Sequence, residues 1–244
     1  MSKVEAVKEL LKNNKGVASL EFIYNNIATY YPAAKNSEHW EAGIRGIINR
    51  EIAAQKHFKR IGASLYALLD YQEEQIEEVK KDTQRMHSYM QGICLELGNL
   101  LRLKTYTPDK NAKFNNVSLS ELATMKTIPD FTYPKIIEDV KQIDVLWFNE
   151  KGYQYPKRAI EVVDSLGTLE AALKRTLQLI EFNLSFSILC KKEDIQKVEK
   201  RFNAEPYIRA KDRYQILPYE HVVNIYKDAV TYKNDPFLSV QNCF

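Results

Sequence analysis

Two acidic residues lie inside apolar runs, and their chemistry needs an explanation. Asp144 comes directly before the run VLWF, and Glu161 lies inside the run AIEVV. An ionised carboxylate is costly in an apolar strand unless it meets a cation or a strong hydrogen-bond donor. If the two runs pair as a hairpin, the carboxylates lie side by side, and a divalent ion relieves their repulsion. The alternative, equally open from the pattern, is a strand carboxylate that faces solvent or pairs with Lys157 or Arg158.

The runs around these acids predict a mixed sheet with helices on its faces. Residues 143–148 and 159–164 read as strands joined by a turn at 149–152. Downstream, the pattern predicts helices at 168–182, 194–202 and 219–229, and strands at 184–189 and 214–217. Upstream, it predicts a long helix over 72–103 and then a loop over 105–139. A loop of that length needs a reason, such as wrapping a ligand.

The first 70 residues have the element order of a winged helix. Helices are predicted at 4–13, at 19–31 with Ser19 as N-cap, and at 37–52 with Ser37 as N-cap. Two short strands, at 57–61 and 65–69, follow them. We therefore expect an α+β protein of two domains, a winged helix at 1–70 and a second domain at 71–244.

Composition narrows the class of protein. The 244 residues are 45% hydrophobic and 27% charged, which is ordinary globular usage. The chain shows no apolar run of membrane-spanning length and no secretory signal, so we expect no membrane partner. The three cysteines, Cys94, Cys190 and Cys243, are widely spaced and form no disulfide or zinc pattern. A reducing, cytoplasmic location is the expectation.

Basic residues are concentrated in the predicted winged helix. The net charge is only +3, yet residues 42–69 hold five bases and one acid. Such a surface suits DNA phosphates, with helix 37–52 as the reader of the major groove and the rest on the wing. A solvated basic surface or a protein-contact surface is the alternative. The candidate DNA-binding residues are Arg45, Arg50, Lys56, Lys59 and Arg60.

Taken together, these motifs resemble the PD-(D/E)xK nuclease superfamily. The strands IDVLW and AIEVV, the preceding helix with Glu96 in LELGN, and the following helix TLEAALKRTLQL match its arrangement. The first 70 residues resemble winged-helix domains fused to restriction-type proteins. The resemblance implies a nuclease-like core with a mixed central sheet flanked by helices.

The resemblance also implies an activity and a site. Asp144, Glu161 and the Val162 carbonyl would hold Mg²⁺, and Glu96 would bind it through water or organise its helix. The implied function is a type II restriction endonuclease that hydrolyses phosphodiester bonds of double-stranded DNA at a short specific sequence. A palindromic site would imply a homodimer.

One position departs from the superfamily pattern, because Val163 stands where its lysine would fall. Lys174 on the next helix is the best substitute, although a solvated helix lysine is the more ordinary interpretation. Asp164 would add a third carboxylate if the strand were bulged. His87 is expected to be packed or capped on its helix.

Two other functions stay open. The first, which the missing lysine supports, is a non-catalytic DNA-binding protein that keeps the nuclease fold. The second is a winged-helix regulator with an oligomerisation domain, which would leave Asp144 and Glu161 unexplained.

Overall fold

The computed structural model describes residues 1–231, in two compact units. One unit contains residues 1–75 together with 115–117, and the other contains residues 76–114 and the chain from 118 onward. Cys243 lies outside the described residues.

The first unit consists of three α-helices and a three-stranded antiparallel sheet. Ser2 and Glu5 form a capping box at the first helix, and the Ser19 hydroxyl accepts from the Phe22 amide at the second, as predicted. The strands have the order β1-β3-β2. The elements are α1 (Lys3–Asn13), β1 (Val17–Ser19), α2 (Leu20–Tyr30), α3 (Trp40–Ala53), β2 (Phe58–Arg60) and β3 (Leu65–Leu68).

The structure of this unit differs from the sequence-based expectation in two details. The third helix begins at Trp40, after a turn, and its N-cap is His39 rather than Ser37. The three-residue strand Val17–Ser19 was missed, because so short a run carries no periodicity of its own. It forms through its pairing with β3, in which Ala18 lies opposite Tyr66.

The second unit is built on a five-stranded mixed sheet flanked by helices, so the expected α+β class is confirmed. The strand order is β10-β9-β8-β7-β4, with antiparallel pairs at β4–β7 and β7–β8 and parallel pairs at β8–β9 and β9–β10. The strands of this sheet are β4 (Lys104–Tyr106), β7 (Val145–Phe148), β8 (Pro156–Val163), β9 (Ser185–Cys190) and β10 (Tyr214–Pro218). Its helices are α4 (Ile76–Val79), α5 (Thr83–Leu100), α6 (Leu119–Leu122), α7 (Pro134–Val140), α8 (Leu166–Leu177), α9 (Ile195–Phe202) and α10 (Tyr219–Thr231). It also contains the short strand β5 (Lys113–Phe114), and strand β6 (Val117–Ser118) begins with the last residue of the first unit.

The expected single helix over 72–103 is divided in the structure. A separate helical turn, α4, precedes α5, and Asp82 stands between them in extended backbone. Its carboxylate accepts from the amides of Gln84 and Arg85, so it starts a new helix instead of continuing the old one.

The expected loop over 105–139 is also not a loop. It contributes strand β4 to one edge of the sheet, where Thr105 lies opposite Trp147, and two helices, α6 and α7. Its prolines had concealed these short elements, and Pro134 in fact begins α7 at the position where proline suits a helix.

Helix α5 lies close to the sheet, which matters for the side chains that it presents. A Cβ on Gly98 would lie 2.6 Å from both Trp147 Nε1 and Thr105 Cγ2, so only glycine permits this approach. The Trp147 indole N–H donates to the Cys94 carbonyl at 3.0 Å. The helix is therefore held in one position beside strands β7 and β4.

Candidate active site

Asp144 lies at the start of strand β7 and is bound to the neighbouring strand. The Val162 amide donates to its Oδ2 atom at 2.7 Å, in a buried hydrogen bond. Because Val145 pairs with Ile160 in the antiparallel register, Asp144 falls opposite Glu161, on the same face of the sheet. The two acids singled out in the sequence are thus brought together. The group of Val162 that binds Asp144 is its amide.

Glu161 is fully buried and its charge is compensated by an arginine. Arg175 donates from Nε to Oε1 at 2.9 Å and from Nη2 to Oε2 at 2.7 Å, a bidentate pair. Burial raises the pKa of Glu161, the Arg175 guanidinium opposes that rise, and the nearby Asp144 carboxylate adds to it. Because its surroundings are dry, the charged form of Glu161 depends on the Arg175 guanidinium for stabilisation.

The cation near Glu161 comes from helix α8, one residue beyond the predicted position. Lys174 is exposed, and its charge acts on Glu170. On an α-helix, residue 175 lies about 60° from the buried Ala172, whereas residue 174 lies about 160° away. That spacing was a usable signal for choosing Arg175. Val163, which the sequence comparison above set against a lysine, is buried among apolar side chains.

On the helix α5 side of Asp144, two polar side chains of that helix lie close to the Asp144 carboxylate and to Asp109, an aspartate of a loop. His87 Nε2 lies 3.4 Å from Asp144 Oδ1. Gln91 Nε2 donates to Asp109 Oδ2 at 2.6 Å and lies 3.4 Å from Asp144 Oδ1. Candidate ligand atoms of His87, Asp109 and Asp144 all lie within 4.8 Å of one another, which is a spacing suited to a metal ion.

The expectation that His87 is merely packed or capped was wrong. Its Nδ1 atom lies 2.7 Å from Asp164 Oδ2, and Tyr219 donates to Asp164 Oδ1 at 3.1 Å. Burial opposes a charge on the imidazole, but the hydrogen bonds to Asp144 and Asp164 outweigh it and raise the pKa of His87 to about 10. Asp164, predicted as a third carboxylate, thus reaches the site through this histidine. The i, i+4 spacing of His87 and Gln91 was the available sequence signal.

Glu96 lies elsewhere on helix α5. It is buried, and its Oε2 atom accepts from the Tyr226 hydroxyl of α10 at 3.3 Å. Five residues separate it from Gln91, so the two side chains point about 140° apart around the helix. The cluster of His87, Asp109 and Asp144 forms without Glu96.

The predicted DNA-binding residues of the first unit fall into two groups. Arg45, Arg50 and Lys56 are exposed. Lys59 donates to the Tyr71 carbonyl at 2.6 Å and lies 3.6 Å from a Glu73 carboxylate oxygen. The Arg60 guanidinium donates to two backbone carbonyls of the turn 62–63. The second group is therefore engaged within its own unit.

Across residues 1–231, the helices are too short or too polar to cross a membrane.

Comparison with known proteins gives one family. No curated protein matches the chain, and no solved structure matches it. A family model described as the type II restriction enzyme NmeDI C-terminal domain matches residues 68–239, which include every residue of the cluster around Asp144. The chain belongs to the family of type II restriction enzyme NmeDI C-terminal domains.

Proposed function

We propose that this protein is a type II restriction endonuclease that hydrolyses phosphodiester bonds of duplex DNA at a short specific sequence, with Mg²⁺ as cofactor. Membership of the family supports the endonuclease activity, and restriction endonucleases commonly use divalent metals. The observation that carries the proposal is the pair Asp144 and Glu161, set opposite each other at one end of a mixed sheet. The order of strands and helices around that pair supports a PD-(D/E)xK core.

The residues present fit a divalent ion. Gln91 is fully buried, its Nε2 atom lies beside the carboxylates of Asp109 and Asp144, and its Oε1 atom has no hydrogen-bond partner among the described residues. Such an oxygen is a natural neighbour for a hard cation. Asp144, Glu161 and the Val162 carbonyl are the proposed ligands. When bound, the ion polarises the phosphodiester and lowers the pKa of a coordinated water.

The protein's own groups orient these ligands. The Val162 amide fixes one oxygen of Asp144, which leaves the other oxygen directed toward helix α5. Arg175 holds both oxygens of Glu161 and supplies the positive charge that the strand lacks at Val163. We propose Arg175, in place of Lys174, as the group that takes over the lysine's electrostatic role.

The first unit is proposed to be a winged helix that binds DNA through the exposed Arg45, Arg50 and Lys56. Its three helices and three-stranded antiparallel sheet support this proposal. We also propose that the enzyme acts as a homodimer on a palindromic site. Sedimentation in the presence of cognate DNA would then give a protein mass about twice 28.4 kDa per duplex.

The experiment is digestion of plasmid DNA by the purified full chain, with Mg²⁺ and with EDTA. We expect discrete fragments that require the metal, none from Asp144→Asn, and normal digestion by Asp139→Asn, an exposed control with the same change of charge. Retained DNA binding by Asp144→Asn would assign the loss to chemistry. Smeared fragments, or cutting unaffected by Asp144→Asn, would contradict the proposal.

One observation favours a second candidate. Val163 offers no polar atom in the lysine position and is packed in an apolar core. A protein that binds a specific duplex without cutting it keeps the fold and gives a retarded, intact plasmid in the same experiment.

A further inference from the structure

We propose that His87, Asp109 and Asp144, with the carbonyl oxygen of Gln91, form a separate divalent-ion site on the helix α5 side of Asp144, selective for a transition metal such as Mn²⁺. The inference rests on the proposed function, because Asp144 is shared with the proposed Mg²⁺ ligands. It differs from them in the donor set, which includes an imidazole nitrogen and excludes Glu161.

The spacing suits one ion. Ligands about 2.0–2.2 Å from a common metal stand at most about 4.4 Å apart, when they are on opposite sides of it. The candidate atoms here lie within 4.8 Å of one another. Asp109 is exposed, so a small rotation of its carboxylate closes the remaining gap. Its exposure also gives the ion a route from solvent.

The imidazole is held as a metal ligand usually is. Asp164 binds Nδ1 of His87 at 2.7 Å, and Tyr219 in turn binds Asp164 at 3.1 Å. Nε2 is thereby directed at Asp144. A ligating histidine characteristically gives its other nitrogen to a carboxylate, which fixes the ring and raises the basicity of the ligating nitrogen. An ion bound at Nε2 would displace the proton that the two carboxylates hold on the imidazole in the ion-free protein.

Gln91 provides an independent indication of a ligand. Its side chain is fully buried, its amide nitrogen lies between the carboxylates of Asp109 and Asp144, and its amide oxygen has no partner among the described residues. A buried orphan oxygen is costly. Because the two ends of an amide are nearly the same shape, a half-turn of this group directs the oxygen between the carboxylates. A cation there satisfies all three oxygens.

The donor set predicts the kind of ion. An imidazole nitrogen is a ligand that transition metals accept, with an affinity that rises from Mn²⁺ along the first transition series, whereas Ca²⁺ and Mg²⁺ are bound by oxygen ligands. A site of one nitrogen and several oxygens should therefore bind Mn²⁺ more tightly than Ca²⁺, and the difference should depend on His87.

The test measures the binding of Mn²⁺ to the full chain without DNA, by electron paramagnetic resonance and by calorimetry. We expect His87→Ala and Asp109→Asn each to raise the Kd for Mn²⁺ by about 10- to 100-fold. His87→Ala should also abolish the preference for Mn²⁺ over Ca²⁺. Asp139→Asn, the exposed control, should bind as the unaltered chain does, and Glu161→Gln should keep this Mn²⁺ site.

Two outcomes would overturn the inference. One is an unchanged Kd for Mn²⁺ in Asp109→Asn. Because Asp109 is exposed, this variant should fold normally and so tests the ligand directly. The other is loss of Mn²⁺ binding in Glu161→Gln with none in His87→Ala, which would place the ion with the other carboxylate. Because binding is measured without DNA, a chain that binds Mn²⁺ as expected but cuts no plasmid refutes the nuclease and leaves the metal site standing.

Discussion

Glu161 is fully buried, and Arg175 is the residue that compensates its charge. Removal of one partner of such a pair leaves an uncompensated charge in a dry environment, which is far more destabilising than the loss of an exposed ion pair. Lys174 offers the comparison, because it is a neighbouring cation on the same helix and is exposed.

Arg175→Met should therefore lower the free energy of unfolding by about 3–5 kcal/mol, as measured by urea denaturation. Lys174→Met should change it by no more than about 0.5 kcal/mol. The double variant Glu161→Gln/Arg175→Met should recover much of the loss, since a neutral amide replaces the unpaired charge. Equal effects of the two single variants would show that the pair does not stabilise the fold.

The thiol of Cys190 should be unreactive in the folded protein. Burial, followed by the acids around it, raises the pKa of its thiol to about 11, and burial also raises the pKa of Cys94. At pH 8 only about one thiol in a thousand would be the reactive thiolate. Neither cysteine should react with iodoacetamide in the native protein within an hour, and both should react in urea, as read by peptide mapping. Rapid native labelling of Cys190 would contradict its buried position.

Among the secondary-structure elements, helix α5 positions most of the polar residues around Asp144, because it presents both His87 and Gln91 to that carboxylate. Its position depends on Gly98, where a Cβ would lie 2.6 Å from the Trp147 ring nitrogen and 2.6 Å from Thr105. Neither neighbour is the free end of a flexible chain, so the helix or the strands must shift.

Gly98→Ala should destabilise the protein by about 1–3 kcal/mol, the usual effect of overpacking, and should weaken the proposed metal-dependent cleavage by displacing His87. Gly167→Ala is the matched control on helix α8, since its new Cβ would come no closer than 3.6 Å to the Ser165 hydroxyl. The control should be neutral or slightly stabilising. Circular dichroism during thermal unfolding distinguishes the two, and a neutral Gly98→Ala would mean that the helix is not closely packed there.

For the whole molecule, the question is which basic residues remain available to DNA. Arg45 and Arg50 are exposed on helix α3, whereas Lys59 and Arg60 are bound to backbone carbonyls of their own unit. A cation already bound to protein oxygens releases few counterions when DNA arrives, so it contributes little to the salt dependence of binding.

Arg45→Ala/Arg50→Ala should flatten the slope of log K against log[salt] by about two units, measured by fluorescence anisotropy on a duplex containing the recognition site. Lys59→Ala/Arg60→Ala removes the same charge and should change the slope by much less than one unit, provided that the fold is intact by circular dichroism. The reverse order would assign DNA contact to the strand residues and not to the helix.

The sequence by itself determined the central strands and the pair of acids. Apolar runs with one embedded carboxylate sufficed to predict strands β7 and β8, and the short turn between them made Asp144 and Glu161 neighbours. These features are local or hairpin-linked, so the 2.0 and 3.6 periodicities and the turn signals report them directly. The α+β class follows from the same order of elements.

Only the tertiary structure decided the rest of the site. His87, Asp109 and Asp144 are far apart in the chain, and the choice of Arg175 over Lys174 depended on which face of helix α8 meets the sheet. Glu96 lies on the same helix as His87 but meets Tyr226 on another face, since packing against other elements sets the rotation of α5. Periodicity tells which residues share a face, but packing between distant elements fixes what that face meets.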